Sequence, residues 1–204
     1  MEETDQYKTI DSPSTGIFKD KGSKFISYAY PVYDEEAIKE KIAALKKEYY
    51  DARHHCYAWQ LGTSGKQFRA NDDGEPSGTA GKPIHGQLKS NGLSNILVVV
   101  IRYFGGTKLG TSGLINAYRE ATIDAINNAT IVEKTVDDVY QLSFDYGVMN
   151  DIMKIMKEEN PNIIKQDFNL RCMIEWSCRQ ADVDRIKSRL EKIESVTVDF
   201  LKTI

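Results

Sequence analysis

Along the last third of the chain, apolar residues recur with two periods in turn. Tyr140, Leu142, Phe144 and Tyr146 alternate with Gln141, Ser143 and Asp145, which predicts a half-buried strand. Met149, Ile152, Met153 and Met156 then recur at helical spacing up to Asn160-Pro161, a stop signal. Such a methionine stripe reads as core packing rather than as a cofactor box. Two more strands are expected over 163–168 and 170–178, the second placing Cys172, Ile174, Trp176 and Cys178 on one side. Val183, Ile186, Leu190 and Ile193 mark a second amphipathic helix, with Asp182 and Asp184 near its positive end. Val196, Val198 and Phe200 close with a strand.

The order β-α-β-β-α-β predicts a ferredoxin-like sandwich. The front segment is also mixed, so the fold class is α+β. Lys24 to Val32 predicts a strand, and Asp34 caps a helix whose inward stripe is Ile38, Ile42, Leu45 and Tyr49. His55, Tyr57, Trp59 and Leu61 alternate as a strand, with Gln67 to Asn71 as its hairpin partner across Gly62-Thr-Ser-Gly65. Ser77 or Thr79 opens a short helix reaching Ser90. Leu93 to Arg102 is nearly all apolar, as in a strand covered on both faces. A glycine-rich loop follows, then a helix from about Leu114 to Asn128.

Composition places a boundary between the two patterns. Thirteen of the 14 glycines precede position 136, and the polar stretch Glu133 to Asp138 separates the halves. The expected domains are therefore 1–134 and 135–204. Residues 1–136 carry 17 acids and 17 bases, whereas 137–204 carry 13 acids and 10 bases, so the formal charge of −3 belongs to the second domain. That balance excludes a bulk polycation for nucleic acid or anionic lipid. The acidic start Met1-Glu-Glu-Thr-Asp5 does not match a secretory leader, and the aliphatic run Ile96–Ile101 is far short of the ~20 residues of a membrane span. A soluble, cytoplasmic protein is expected, with no membrane partner. Cys56, Cys172 and Cys178 are an odd number; the last two lie about 20 Å apart along one strand, so they read as core thiols.

Charge within the front segment is uneven in a more informative way. From Pro76 to Arg119 there is no Asp or Glu, while Lys82, Lys89, Arg102, Lys108 and Arg119 give this 44-residue stretch a local +5. Clustering of this kind makes either an anion site or a solvated basic face. Within it, Phe104-Gly-Gly-Thr-Lys-Leu-Gly-Thr-Ser-Gly113 joins the buried strand to its helix. Gly105, Gly106, Gly110 and Gly113 allow backbone amides to converge on an oxyanion, and Thr111 or Ser112 is placed to cap the helix. Lys82, Arg102 and Lys108 would add full charge. The loop is not a Walker A motif, because Thr111 stands where the phosphate lysine belongs, and it equally suits a plain strand–helix connector. Upstream, Asp72, Asp73 and Glu75 are weak candidates for a hard cation, or for capping and pairing. His54 and Cys56 share a strand face and His55 takes the other, without a third group to complete a catalytic set. No cofactor is implied.

Two long motifs in order, Asp72-Asp-Gly-Glu-Pro-Ser-Gly-Thr-Ala-Gly81 and Arg102-Tyr-Phe-Gly-Gly-Thr-Lys-Leu-Gly110, resemble the YigZ/IMPACT family. Ser23-Lys-Phe-Ile-Ser27 and His54-His-Cys-Tyr-Ala-Trp59 also look like its pattern. Ser112 and Arg119 depart from it, where the family more often has glycine. The resemblance implies a front domain like elongation factor G domain IV and a small-subunit ribosomal protein, and a tail like the C-terminal domain of elongation factor G. It therefore implies a non-enzymatic protein of RNA or the ribosome that regulates translation. Tyr103 and Phe104 would stack on bases. The alternatives are a phosphate- or nucleotide-binding small-molecule enzyme using Mg²⁺, and an adaptor whose basic surface meets an acidic protein partner.

Overall fold

The computed structural model describes residues 5–63, 65–169 and 171–204. The acidic start Met1–Thr4, Ser64 of the expected hairpin turn and Leu170 of the expected third tail strand lie outside the described residues. The chain divides into two compact units, Met1–Lys134 and Thr135–Ile204. No helix among the described residues is long and apolar enough to cross a membrane.

The first unit is built on a five-stranded antiparallel sheet of β2 (Ser14–Asp20), β3 (Ser23–Pro31), β4 (His54–Leu61), β5 (Gln67–Asn71) and β6 (Ile96–Tyr103), in the order β2-β3-β6-β4-β5. The central strand β6 is buried from Ile96 to Arg102, which is why its sequence reads as an apolar run. Its two faces meet different layers. Val98 and Val100 share a core with α2 (Gly81–Ser90) and α3 (Gly110–Asn127), whereas Leu97, Val99 and Ile101 pack with Ile38 and Leu45 of α1 (Glu35–Glu48). Asp34 caps α1 by accepting from the Ala37 amide at 2.7 Å, as its spacing predicts.

Three strands of this unit carry no apolar alternation: β1 (Gln6–Ile10), β7 (Ile131–Thr135), which pairs with β1 in a separate two-stranded sheet, and β2. In β2 the buried positions at its start are Ser14 and Gly16, while Ile17 faces solvent. The Ser14 hydroxyl donates to the Ala125 carbonyl of α3 at 2.8 Å, and a Cβ at Gly16 would meet the Ala125 nitrogen at 2.4 Å. Close approach of helix to strand requires small residues here, so the periodicity that marks a strand is written in serine and glycine.

The second unit has the ferredoxin-like order: β8 (Asp137–Phe144), a single 3₁₀ turn at Tyr146–Val148, α4 (Met149–Glu159), β9 (Asn162–Phe168), β10 (Cys172–Arg179), α5 (Gln180–Leu190) and β11 (Thr197–Thr203). Its antiparallel sheet runs β11-β8-β10-β9. Leu142, Phe144, Cys172, Ile174 and Trp176 share one core with Ile152, Met156, Val183, Ile186 and Leu190 of the helices. Both cysteines are free thiols in that core. Asn160 ends α4 in the left-handed conformation at φ 50°, one residue before Pro161.

The site-bearing loop after β6 is held by backbone against backbone. A Cβ at Gly105 would lie 1.8 Å from the Gly22 carbonyl carbon and 2.1 Å from the Ser23 nitrogen, in the turn between β2 and β3. The Gly105 amide donates to the Ser23 hydroxyl at 3.1 Å. Gly105→Ala should therefore destabilise the protein by about 1–3 kcal/mol or more in urea unfolding. Gly86→Ala, on an exposed helical position with nothing near its would-be Cβ, should stabilise by roughly 0.5–1 kcal/mol.

Candidate functional site

Strand alternation sets the end of β6 apart. Arg102 lies on the face of Val98 and Val100, so the side of the sheet covered by α2 and α3 finishes in a guanidinium. Its lateral neighbours are Phe25 on β3 and His54 on β4. A cleft of about 760 Å³ opens there, walled by the β6–α3 loop and the first turn of α3. Arg102, Lys108, Gly110 and Thr111 line it, together with Phe104, Leu109 and Leu114, and with Arg53, His54, Glu75 and Pro76 from the other side; the exposed Asp51, which accepts from the Tyr103 hydroxyl at 2.8 Å, is also at its edge. Lys82, Gly105, Gly106, Ser112 and Gly113 do not line it.

Helix α3 starts earlier than its apolar stripe predicts. It begins at Gly110, with Leu109 in the N-cap position and no side-chain cap bond. Thr111 and Ser112 therefore sit inside the first turn and do not cap it, contrary to the sequence expectation. Gly110 holds φ +73°, a turn conformation that a side chain disfavours. Lys108 is exposed just before this turn. The amide dipoles of an 18-residue helix thus reach the cleft without a side-chain cap.

Arg102 is not the free cation that the acid-free window suggests. Its Nη1 donates to Glu75 Oε1 at 2.7 Å, and both side chains are more than nine-tenths buried. The Tyr118 hydroxyl donates to the same carboxylate oxygen at 2.8 Å. The guanidinium lies 5.6 Å from the ring centroids of both Phe25 and Phe104, and its Nε is buried without a partner among the described residues. Arg119 is likewise bridged to Glu120 at 3.1 Å, on the surface. Glu75 and Glu120 are the acids immediately outside the window 76–119, and each takes one of its bases. Lys82, Lys89 and Lys108 stay exposed without a carboxylate partner among the described residues.

The three carboxylates proposed for a cation go to three separate tasks. Asp72 accepts from the amides of Gly78, Ala80 and Gly81 at 2.8–2.9 Å and so caps α2, which begins at Gly81 rather than at Ser77 or Thr79. Asp73 accepts from the His55 amide at 2.7 Å and from Lys46 at 3.1 Å. Burial would raise the Asp73 carboxyl, but those two partners outweigh it and hold it below the usual range. Glu75 serves Arg102 and Tyr118. No group of three metal-capable side chains occurs among the described residues.

Cys56 Sγ lies 3.0 Å from the Asp72 carbonyl and 3.3 Å from the Tyr118 hydroxyl, in the α2/α3 core. Burial pushes its thiol far up, which opposes a nucleophilic role. Burial does the same to the Tyr118 phenol. His55 faces the other layer, and burial lowers its pKa although Asp73 Oδ2 is 3.9 Å away, so it is read as neutral. What sequence reasoning missed is the pairing itself: Glu75 and Arg102 are 27 residues apart. The only hint was an acid at the very edge of an acid-free stretch.

The Impact N-terminal domain family model matches residues 21–126. The IMPACT family member YigZ of Escherichia coli is 34% identical over 192 residues, 93% of this chain and 94% of its own. YvyE of Bacillus subtilis, another IMPACT family member, is 39% identical over 136 residues, 67% of this chain and 63% of its own. A solved structure described as a hypothetical protein matches with TM-score 0.73 and 31% identity, covering 98% of both chains. The chain belongs to the IMPACT family.

Removing one half of a buried pair leaves an uncompensated charge. Glu75→Ala should cost about 3–5 kcal/mol in urea unfolding, and adding Arg102→Met to it should recover part of that loss. For His55 the folded pKa lies below the unfolded value of about 6.5, so the unfolded chain binds more protons as pH falls. Its contribution is present above that value and is lost progressively below it. NMR titration should place the His55 imidazole below 6.5, with unfolding free energy declining under the same pH.

Proposed function

We propose, from membership of the IMPACT family and from the exposed Lys108 beside the start of α3, that this protein associates with RNA or the ribosome and acts in translational regulation. Phosphate would be held at the first turn of α3. The observation that carries this reading is the start of a long helix without a side-chain cap beside the exposed Lys108, in a cleft that also holds Arg53 and, across from Lys108, the acid Asp51. Backbone amides there need an acceptor, and the helix dipole favours an anion. Arg102 has a different part: paired with Glu75, it shapes the floor of the cleft. The Mg²⁺-dependent alternative has less support, because Asp72, Asp73 and Glu75 are drawn apart by separate partners.

Binding to labelled single-stranded RNA and to ribosomes, followed across a salt series, tests this. Affinity should fall with rising salt, and Lys108→Ala should weaken it and reduce the slope of log K against log salt by about 0.7 for a single strand. Arg53→Ala should act the same way. Absence of affinity at low salt, or affinity unchanged in the double variant, overturns the reading. Arg102 is a poor probe for this purpose, since its loss would unsettle the fold.

A further inference from the structure

Resting on that phosphate site, we infer that the cleft takes one unstacked nucleotide of a single RNA strand, its base against Phe104 and its phosphate at the first turn of α3. Phe104 is 60% exposed, yet it is a held platform. The Arg102 guanidinium stands 5.6 Å from its centroid, and Phe25 sits at the same distance from that guanidinium. Arg102 is fixed in turn by Glu75 at 2.7 Å. A buried ion pair thus orients a solvent-facing aromatic ring at the mouth of a cleft. Pro76, Leu109 and Leu114 extend the apolar wall, while Lys108 and the α3 amides mark the anionic end.

A second observation, independent of the helix end, is the ring itself: a large apolar side chain left 60% exposed at the mouth of a cleft, with a guanidinium fixed beside it, is a surface that an aromatic ligand would cover. Arg102 Nε, without a partner among the described residues, is enclosed with the ion pair and is not offered to the cleft. About 760 Å³ falls in the range of small-ligand sites, which suits one nucleotide. Within a duplex the base faces are covered by their neighbours and cannot meet Phe104, whereas a single strand can splay a base onto an aromatic ring.

The test uses the full chain with three ligands: pentaadenylate, a base-free ribose-phosphate pentamer of equal charge, and an RNA duplex. Pentaadenylate should bind about 10-fold or more tightly than the base-free pentamer, and Phe104→Ala should erase that preference. The salt slope should stay unchanged in this variant. Because the ring also lies over Arg102, Phe104→Ala should lower the thermal unfolding midpoint slightly while leaving the protein folded, and Phe104→Trp should restore it together with affinity. Equal binding of the two pentamers, or preference for the duplex, overturns the stacked base while leaving the phosphate reading intact. Failure of every ligand at low salt overturns both. Competition by adenosine monophosphate as strong as that by pentaadenylate would reassign the site to free nucleotides and overturn the strand.

Discussion

A guanidinium that ends the central strand of a sheet has to be neutralised where it stands, and much else in the first unit is arranged around that need. Arg102 sits between Phe25 and Phe104, with Glu75 as its counter-ion and the Tyr118 hydroxyl on the same carboxylate. The desolvation cost of such a pair is large, and good geometry with further hydrogen bonds is what makes it tolerable. The carboxylate comes from the segment before α2, the phenol from α3 and the arginine from β6. One ion pair therefore ties together the two helices that cover this face and the strand beneath them.

The segment that delivers Glu75 is itself heavily constrained. Asp72 caps α2 through three amides, and Asp73 is bound to the His55 amide on β4 and to Lys46 on α1. Three acids in four residues thus address five different elements, which is why they do not converge on a cation. On the opposite side of the cleft, Gly105 lies against the Gly22–Ser23 backbone too closely for any side chain. Both walls are set by contacts behind them, and the exposed surface of the cleft includes Phe104, Lys108 and the first turn of α3 on one side and Asp51, Arg53 and Pro76 on the other.

Most of the architecture was legible because hydrophobic period carries it. The strand over Gln67–Asn71 has the bounds that its residues predict, the tail's order of elements follows from its stripes, and β6 announces its double burial by an unbroken apolar run. Strands β1, β2 and β7 were not legible. In β2 the inward positions at its start are Ser14 and Gly16, chosen for proximity to α3, and a size constraint leaves no hydrophobic signature. The start of α3 was misjudged for a related reason. Leu114 opens the buried stripe, but the helix extends to Gly110 on residues that face solvent or the cleft and so obey no period.

Charge was legible as a sum and illegible as a pairing. The stretch 76–119 counts five bases and no acid, yet Glu75 and Glu120, one residue beyond either end, claim Arg102 and Arg119. A window drawn on sequence cannot know that an acid at its border folds back across 27 positions. The correction changes the kind of site rather than removing it. With Arg102 paired and buried, the cation exposed at the loop is Lys108, and the arginine's remaining influence is exerted through the orientation of Phe104 and the shape of the cleft. A cleft whose one buried cation is neutralised and whose wall carries a fixed aromatic ring presents shape and ring surface before it presents charge.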